Sequence, residues 1–236
     1  MSVLLLQLAG PLQSWGSASR FARRSTESAP TKSGIIGLLA AALGRERSED
    51  LSDLAAMRFG VRIDQQGTVL RDFHTAHHFE TGEPGPVSER MYLADAVFVA
   101  GVEGSKELIE MLQQALQAPA FLPYLGRRSC PPSRQVYLGV HVRLGLLEAL
   151  RREPWQAARW YQRRRCSEHQ IKLEIRMEAT DDESDDVLRD QPISFNPLHR
   201  QYQLRGVRRP ARAIVENPQA VRPHDPIAAL GNKPCS

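Results

Sequence analysis

Cysteine is scarce in this chain. Its 236 residues include three, Cys130, Cys166 and Cys235, and no two stand in a CxxC pair. An odd number without that spacing argues against a structural zinc site and against a disulfide scaffold. Long apolar runs are missing as well. The run near the start, residues 3–6, is far too short for a signal peptide or a membrane span, and no basic segment precedes it. A cytoplasmic protein with no membrane partner is expected. The phosphate-loop pattern GxxxxGK is absent. His74, His77 and His78 lie close together, but they do not share one face of a strand and nothing completes a ligand set around them. No metal and no other cofactor is expected.

Charge of one sign is only mildly in excess: 31 basic against 27 acidic residues, a formal +4. Its distribution is uneven. Residues 200–212 hold five arginines and no acid, residues 151–176 hold eight basic residues against three acids, and residues 181–186 hold five acids. A polyanion partner suits this pattern, and so does plain solubility. With 42% hydrophobic residues the chain can bury a real core, as one domain or two small ones.

The segment YLGRRSCPP at 124–132 concentrates features that suit a phosphate backbone. Gly126 permits backbone angles closed to other residues and a close approach of ligand to main chain. Arg127 and Arg128 carry planar donor forks that match phosphate oxygens. Pro131 and Pro132 stiffen the exit. A solvated turn with two surface arginines is the other reading. A second anion site is expected where Pro30, Thr31, Lys32 and Ser33 open a helix. Thr31 or Ser33 can cap it, Gly44 can end it, and Lys32 sits at its positive pole. An ordinary buried helix with a routine cap fits the same residues. Trp15 reads as a core plug more readily than as a base-stacking platform.

Along the chain, residues 2–8 read as a buried strand, and 34–43 as the helix body, small enough to pack closely on a sheet. Residues 58–63 read as a strand paired with 69–75 across the Gln66-Gly67 turn, and 90–101 as a further strand. A helix runs from the Ser105 cap to Gln117, and a strand covers 136–144. With an inserted hairpin at 74–90, that order is the split βαβ of a ferredoxin-like or RRM-like α+β fold over residues 1–144. A smaller, irregular, β-rich region is expected over 145–215, with strands at 159–165 and 171–177. The acidic run at 179–190 reads as a disordered loop, and 216–236 as a Pro-rich tail.

Four blocks carry a family resemblance: LAGPLQSWG (8–16), PTKSGIIGLL (30–39), LRDFHT (70–75) and YLGRRSCP (124–131). In this order they resemble the CasD family, the type I-E member of CRISPR-associated family five and a subunit of the Cascade surveillance complex. The resemblance implies an RRM-like fold with a protruding hairpin, the thumb. It implies a non-catalytic subunit that caps the 5′ handle of the crRNA and touches the Cascade backbone subunit and the large subunit, with target DNA met only indirectly. The expected RNA contacts are Arg20, Arg23, Arg24, Lys32, Ser33, His74, Arg90, Tyr124, Gly126, Arg127, Arg128 and Ser129. A related branch cuts repeat RNA without metal, using tyrosine, lysine and histidine. Here Lys32 is the only lysine before Lys106 and no Lys-His dipeptide exists. A metal-independent endoribonuclease with His74 or His141 as general base is the alternative.

Overall fold

The structure, a computed structural model, describes residues 1–17, 23–180 and 184–221. Its strands are β1 (Ser2–Ala9), β2 (Leu12–Gln13), β3 (Arg23–Arg24), β4 (Arg58–Gln65), β5 (Thr68–His74), β6 (Ser88–Ala94), β7 (Val97–Gly104), β8 (Tyr137–Val142), β9 (Gln170–Leu173), β10 (Ile175–Glu178), β11 (Asp186–Ser194), β12 (Gln201–Arg208) and β13 (Ala213–Glu216). Its helices are α1 (Lys32–Ala42), α2 (Ser52–Ala55), α3 (Lys106–Gln117), α4 (Leu146–Arg152) and α5 (Arg159–Arg164). The chain is α+β, built on a large antiparallel sheet in the order β11-β12-β10-β4-β7-β1-β8.

Both faces of that sheet are covered, so β1 reads as an unbroken leucine-rich run rather than an alternation: all its residues are buried. Leu4, Leu6 and Leu8 point into one core, with α1 and α3. Val3 and Leu5 point into the other, with Leu146 and Leu150 of α4, Trp155 and strands β9 and β13. Trp15 is fully buried in the first core, as a plug.

The caps fall where the sequence places them. Thr31 accepts a hydrogen bond from the Gly34 amide at the start of α1, and Ser105 does the same for Leu108 in α3. Gly44 leaves α1 with φ +79.

Several strand expectations are corrected. β5 does not pair with β4, whose two edges are taken by β7 and β10. Gly67, at φ +71, turns the chain out of the main sheet, and β5 pairs instead with β6. The expected strand at 90–101 is two strands, broken at Asp95, where φ is +55. β6 belongs to the hairpin and β7 to the centre of the main sheet. Residues 159–164 form α5, not a strand. Residues 191–212, inside the region expected to be irregular, carry all of β12 and the last four residues of β11, and the acidic run supplies the start of β11 from Asp186. Residues 181–183, Arg20 and the tail from 222 onward lie outside the described residues.

Candidate nucleic-acid interface

A groove of about 1400 Å³ opens along the solvent side of α1. Ser33, Gly37 and Ala41 recur every fourth residue and form a smooth floor of small side chains. Their opposite numbers, Ile35, Ile36, Leu38 and Leu39, hold the helix to the core. One wall is the 120–131 segment, with Phe121, Tyr124, Arg127 and Arg128. The other is the turn between β11 and β12 and the start of β12, with Phe195, Arg200 and Tyr202. Arg45 and Arg47, just past the end of α1, close one end. The lining carries six arginines (24, 45, 47, 127, 128 and 200) against one acid, Glu46. Arg45 is held by a bidentate pair with Asp53, while the side chains of Arg24, Arg47, Arg128 and Arg200 are exposed. Ringed by guanidinium groups and floored by small residues, the groove can take a polyanion close to the helix backbone.

The 124–131 loop is built rather than free. Leu125 and Cys130 are buried, and the Leu125 amide donates to the Cys130 carbonyl at 2.7 Å. Burial pushes the Cys130 thiol pKa up. Gly126 sits at φ +83 against the Ser14 carbonyl, where an added Cβ would lie 1.8 Å from that oxygen, so only glycine fits. The two arginines part company here. Arg127 donates to the carbonyls of Met91 at 3.2 Å and Arg24 at 2.9 Å, and its guanidinium lies 4.8 Å from the centre of the Tyr92 ring. It fastens the loop to β6 and β3. Arg128 projects into solvent at the groove rim, with Ser129 exposed beside it.

The expectation for Lys32 is corrected. The anion at the α1 N-terminus is the protein's own Asp190, whose carboxylate accepts from the Lys32 amide at 2.8 Å and from Arg205 at 2.8 Å through both of its forks. The Lys32 ammonium is buried and bound to Glu178 at 2.9 Å. Burial lowers its pKa below the ordinary 10.5, and Glu178 opposes the shift. The helix pole and its lysine are spent inside the protein, facing β10 to β12.

Arg24, Ser33, Tyr124, Gly126, Arg127 and Arg128 therefore meet in one groove. His74 and Arg90 lie in the hairpin sheet instead. His74 pairs with Asp72 at 2.7 Å, and Arg90 stands between Arg24 of β3 and Asp72 of β5 in cross-strand register. Arg23 is exposed on β3 next to Glu89. His141 is on β8, opposite Val3. Among the described residues no group of three or more His, Cys, Asp or Glu is placed to hold a metal ion. Nor is any helix among them long and apolar enough to cross a membrane. Sequence reasoning passed over Arg45, Arg47, Phe195, Arg200 and Tyr202. The acid-free run of arginines from 200 was the available signal for Arg200.

The profile of the family described as CRISPR-associated protein (Cas_Cas5) matches residues 3–208. The chain belongs to this Cas5 family. A curated relative from Escherichia coli (strain K12), the CRISPR system Cascade subunit CasD, is 38% identical over 159 residues, 58% of this chain and 70% of the relative. A solved chain described as "CRISPR RNA-guided surveillance complex" superposes with a TM-score of 0.75 at 32% identity, covering 94% of each chain. Another, described as "Crystal structure of Cas protein", gives 0.68 at 38% identity, covering 92% of this chain and 97% of that one. The four sequence blocks all fall inside the Cas5 match. In space, the first is stitched to the fourth by the Ser14 amide donating to the Leu125 carbonyl, and Trp15 of the first underlies Gly34 of the second.

Proposed function

We propose that this Cas5 protein is a non-catalytic Cascade subunit in CRISPR antiviral defence, and that its α1 groove holds the 5′ handle of the crRNA. The observation that carries the reading is the ring of six arginines around a floor of small residues. Single-stranded RNA held in a fixed path needs phosphate clamps and aromatic faces for splayed bases. Arg24, Arg128 and Arg200 supply the first, and Tyr124, Phe195 and Tyr202 the second. The kinship with CasD and with a chain of an RNA-guided surveillance complex supports partnership with crRNA and with other Cascade subunits. A cytoplasmic location goes with that role. We take the backbone and large subunits as the neighbours of the exposed hairpin β5–β6, which serves as the thumb. The order β4-β7-β1-β8, with α1 and α3 as the crossovers, supports a ferredoxin-like split βαβ at the centre of the sheet.

The endoribonuclease alternative has one feature in its favour, the exposed His74–Asp72 pair. It would have to work without Lys32, whose ammonium is engaged by Glu178. Incubation of the purified chain with repeat RNA is expected to give no cut. A single-site cut lost in His74→Ala or His141→Ala would reverse this.

The groove itself is tested at Gly37. An added Cβ there meets only the Phe195 ring, at 3.6 Å, in ordinary contact. Gly37→Ala should therefore fold, with about 0.5–1 kcal/mol of added helix stability. Gly37→Leu should also fold, yet fill the floor and abolish binding of handle RNA in a filter or anisotropy assay. Undiminished binding in Gly37→Leu would place the RNA elsewhere.

A further inference from the structure

We infer that α5 carries a second binding surface, for single-stranded nucleic acid, on the face of the molecule opposite the groove. Of the three tryptophans, Trp15 and Trp155 are buried, whereas Trp160 is 53% exposed. Its ring is not loose. It meets Tyr161 edge-on at 5.6 Å between centroids, and Tyr161 in turn meets buried Trp155 edge-on at 6.0 Å. The indole is thus held out on a braced aromatic stack, ready to receive a base without first being ordered. Around it stand Arg159, Arg163 and Arg164, all exposed. Arg159 and Arg163 are one helical turn apart, as are Trp160 and Arg164. No acid lies within α5, and among the described residues none of the three arginines has an ion-pair partner; Arg163 has only a 3.5 Å contact with Gln219. Trp155 and Tyr161 pack on the core formed by α4, β9 and β13, whereas α1 and its groove pack on the other core. α5 and the groove thus lie over opposite faces of the main sheet.

An exposed, rigid indole among unneutralised guanidinium groups matches the stacking-and-phosphate pattern that binds single strands with little regard to sequence. The surface takes RNA and DNA alike, because every base offers a π-face. An acidic protein segment can satisfy the charges, but only a nucleic acid strand brings a π-face with every phosphate.

The test uses the full chain carrying Arg128→Gln and Arg200→Gln, so that the groove does not mask the signal. Tryptophan fluorescence and anisotropy are followed with oligothymidine and oligouridine of about 15 nucleotides, near the upper site size of single-strand-binding folds. Both oligonucleotides should quench the emission. Trp160→Leu should remove the quenching and weaken binding about fivefold or more, while Trp160→Phe, which keeps a ring, should retain most of the affinity. Changing Arg159, Arg163 and Arg164 to Gln should flatten the log–log salt dependence by up to about 0.7 per arginine. Quenching and affinity untouched by Trp160→Leu, or a salt slope untouched by the triple Gln variant, would each overturn the inference. A response to polyglutamate with none to either oligonucleotide would also overturn it and make the surface a protein-docking face.

Discussion

Arg127 and Arg128 are neighbours with different work. Arg127 spends its donors on two backbone carbonyls and its face on Tyr92, whereas Arg128 is exposed at the rim. Arg127→Ala should therefore lower stability by about 1–2 kcal/mol. In a chain of this size that is a melting-temperature fall of roughly 2–8 °C. Arg128→Ala should leave the melt unchanged, weaken handle RNA about fivefold or more, and flatten the salt slope by up to about 0.7. Arg128→Lys should recover only part of the affinity, since lysine keeps the charge and loses the fork. Paired thermal melts and salt-dependent binding curves separate the two roles. Lys32 gives a pH signature. Its pKa is lowered by burial from the ordinary 10.5, so just below that pH the native chain releases a proton that the unfolded chain still holds. The unfolded state then binds more protons, and this group's contribution to stability rises with pH across the window. Denaturant unfolding of Lys32→Met between about pH 9 and 10.5 should show stability falling more steeply with pH than in the parent chain. Equal slopes would mean that the ammonium keeps its ordinary pKa in the fold.

Among the elements, the helices were the most legible. α1 and α3 each announce themselves by a capping hydroxyl, and each cap is made as its residue type predicts. The hairpin was legible as an insertion but not in its pairing. β4 and β5 are joined by a tight turn and look like partners. Which strand takes an open edge is decided by segments far away, and here β10 takes the one that β5 would have used. The hairpin tip is held by its own bonds, Gly85 to the Ala76 carbonyl and His78 to the Glu83 carbonyl, and Phe79 at its end is wholly exposed. Replacing residues 78–83 by an Asn-Gly turn should leave the melting temperature unchanged. It should weaken co-purification with other Cascade subunits. A variant that fails to fold would mean that the tip belongs to the core.

The molecule as a whole is closed by a buried charge network. Asp190, fully buried in β11, binds Arg205 of β12 and the first amide of α1, and Glu178 of β10 holds Lys32 and the Phe59 amide. A second buried pair, Arg62 with Asp64, gathers the carbonyls of Leu150, Glu153 and Pro154 and the Gln156 amide over the other face. Both networks join residues before 144 to residues after it, and β10 to β12 extend the same sheet as β4. Asp190→Ala strands Arg205 in the interior and should cost about 3–5 kcal/mol, read as a lower denaturation midpoint. Residues 1–144 expressed alone should not give a cooperative melt.

The sequence by itself determined what is local: the caps of α1 and α3, the buried leucine strand, the glycine whose backbone freedom the 124–131 loop needs, and an arginine-rich loop in the family's order. The tertiary structure alone decided which charges remain available. Lys32 at a helix pole looks the same in sequence whether a phosphate or a carboxylate faces it. The carboxylates that answer it come from Glu178 and Asp190, 146 and 158 positions later, and only folding brings them there. Arg200 and Tyr202 likewise join Ser33 and Arg128 only because β11 and β12 carry their turn over α1. Desolvation and strand pairing between distant segments set those meetings, and neither is a property of a local run of residues.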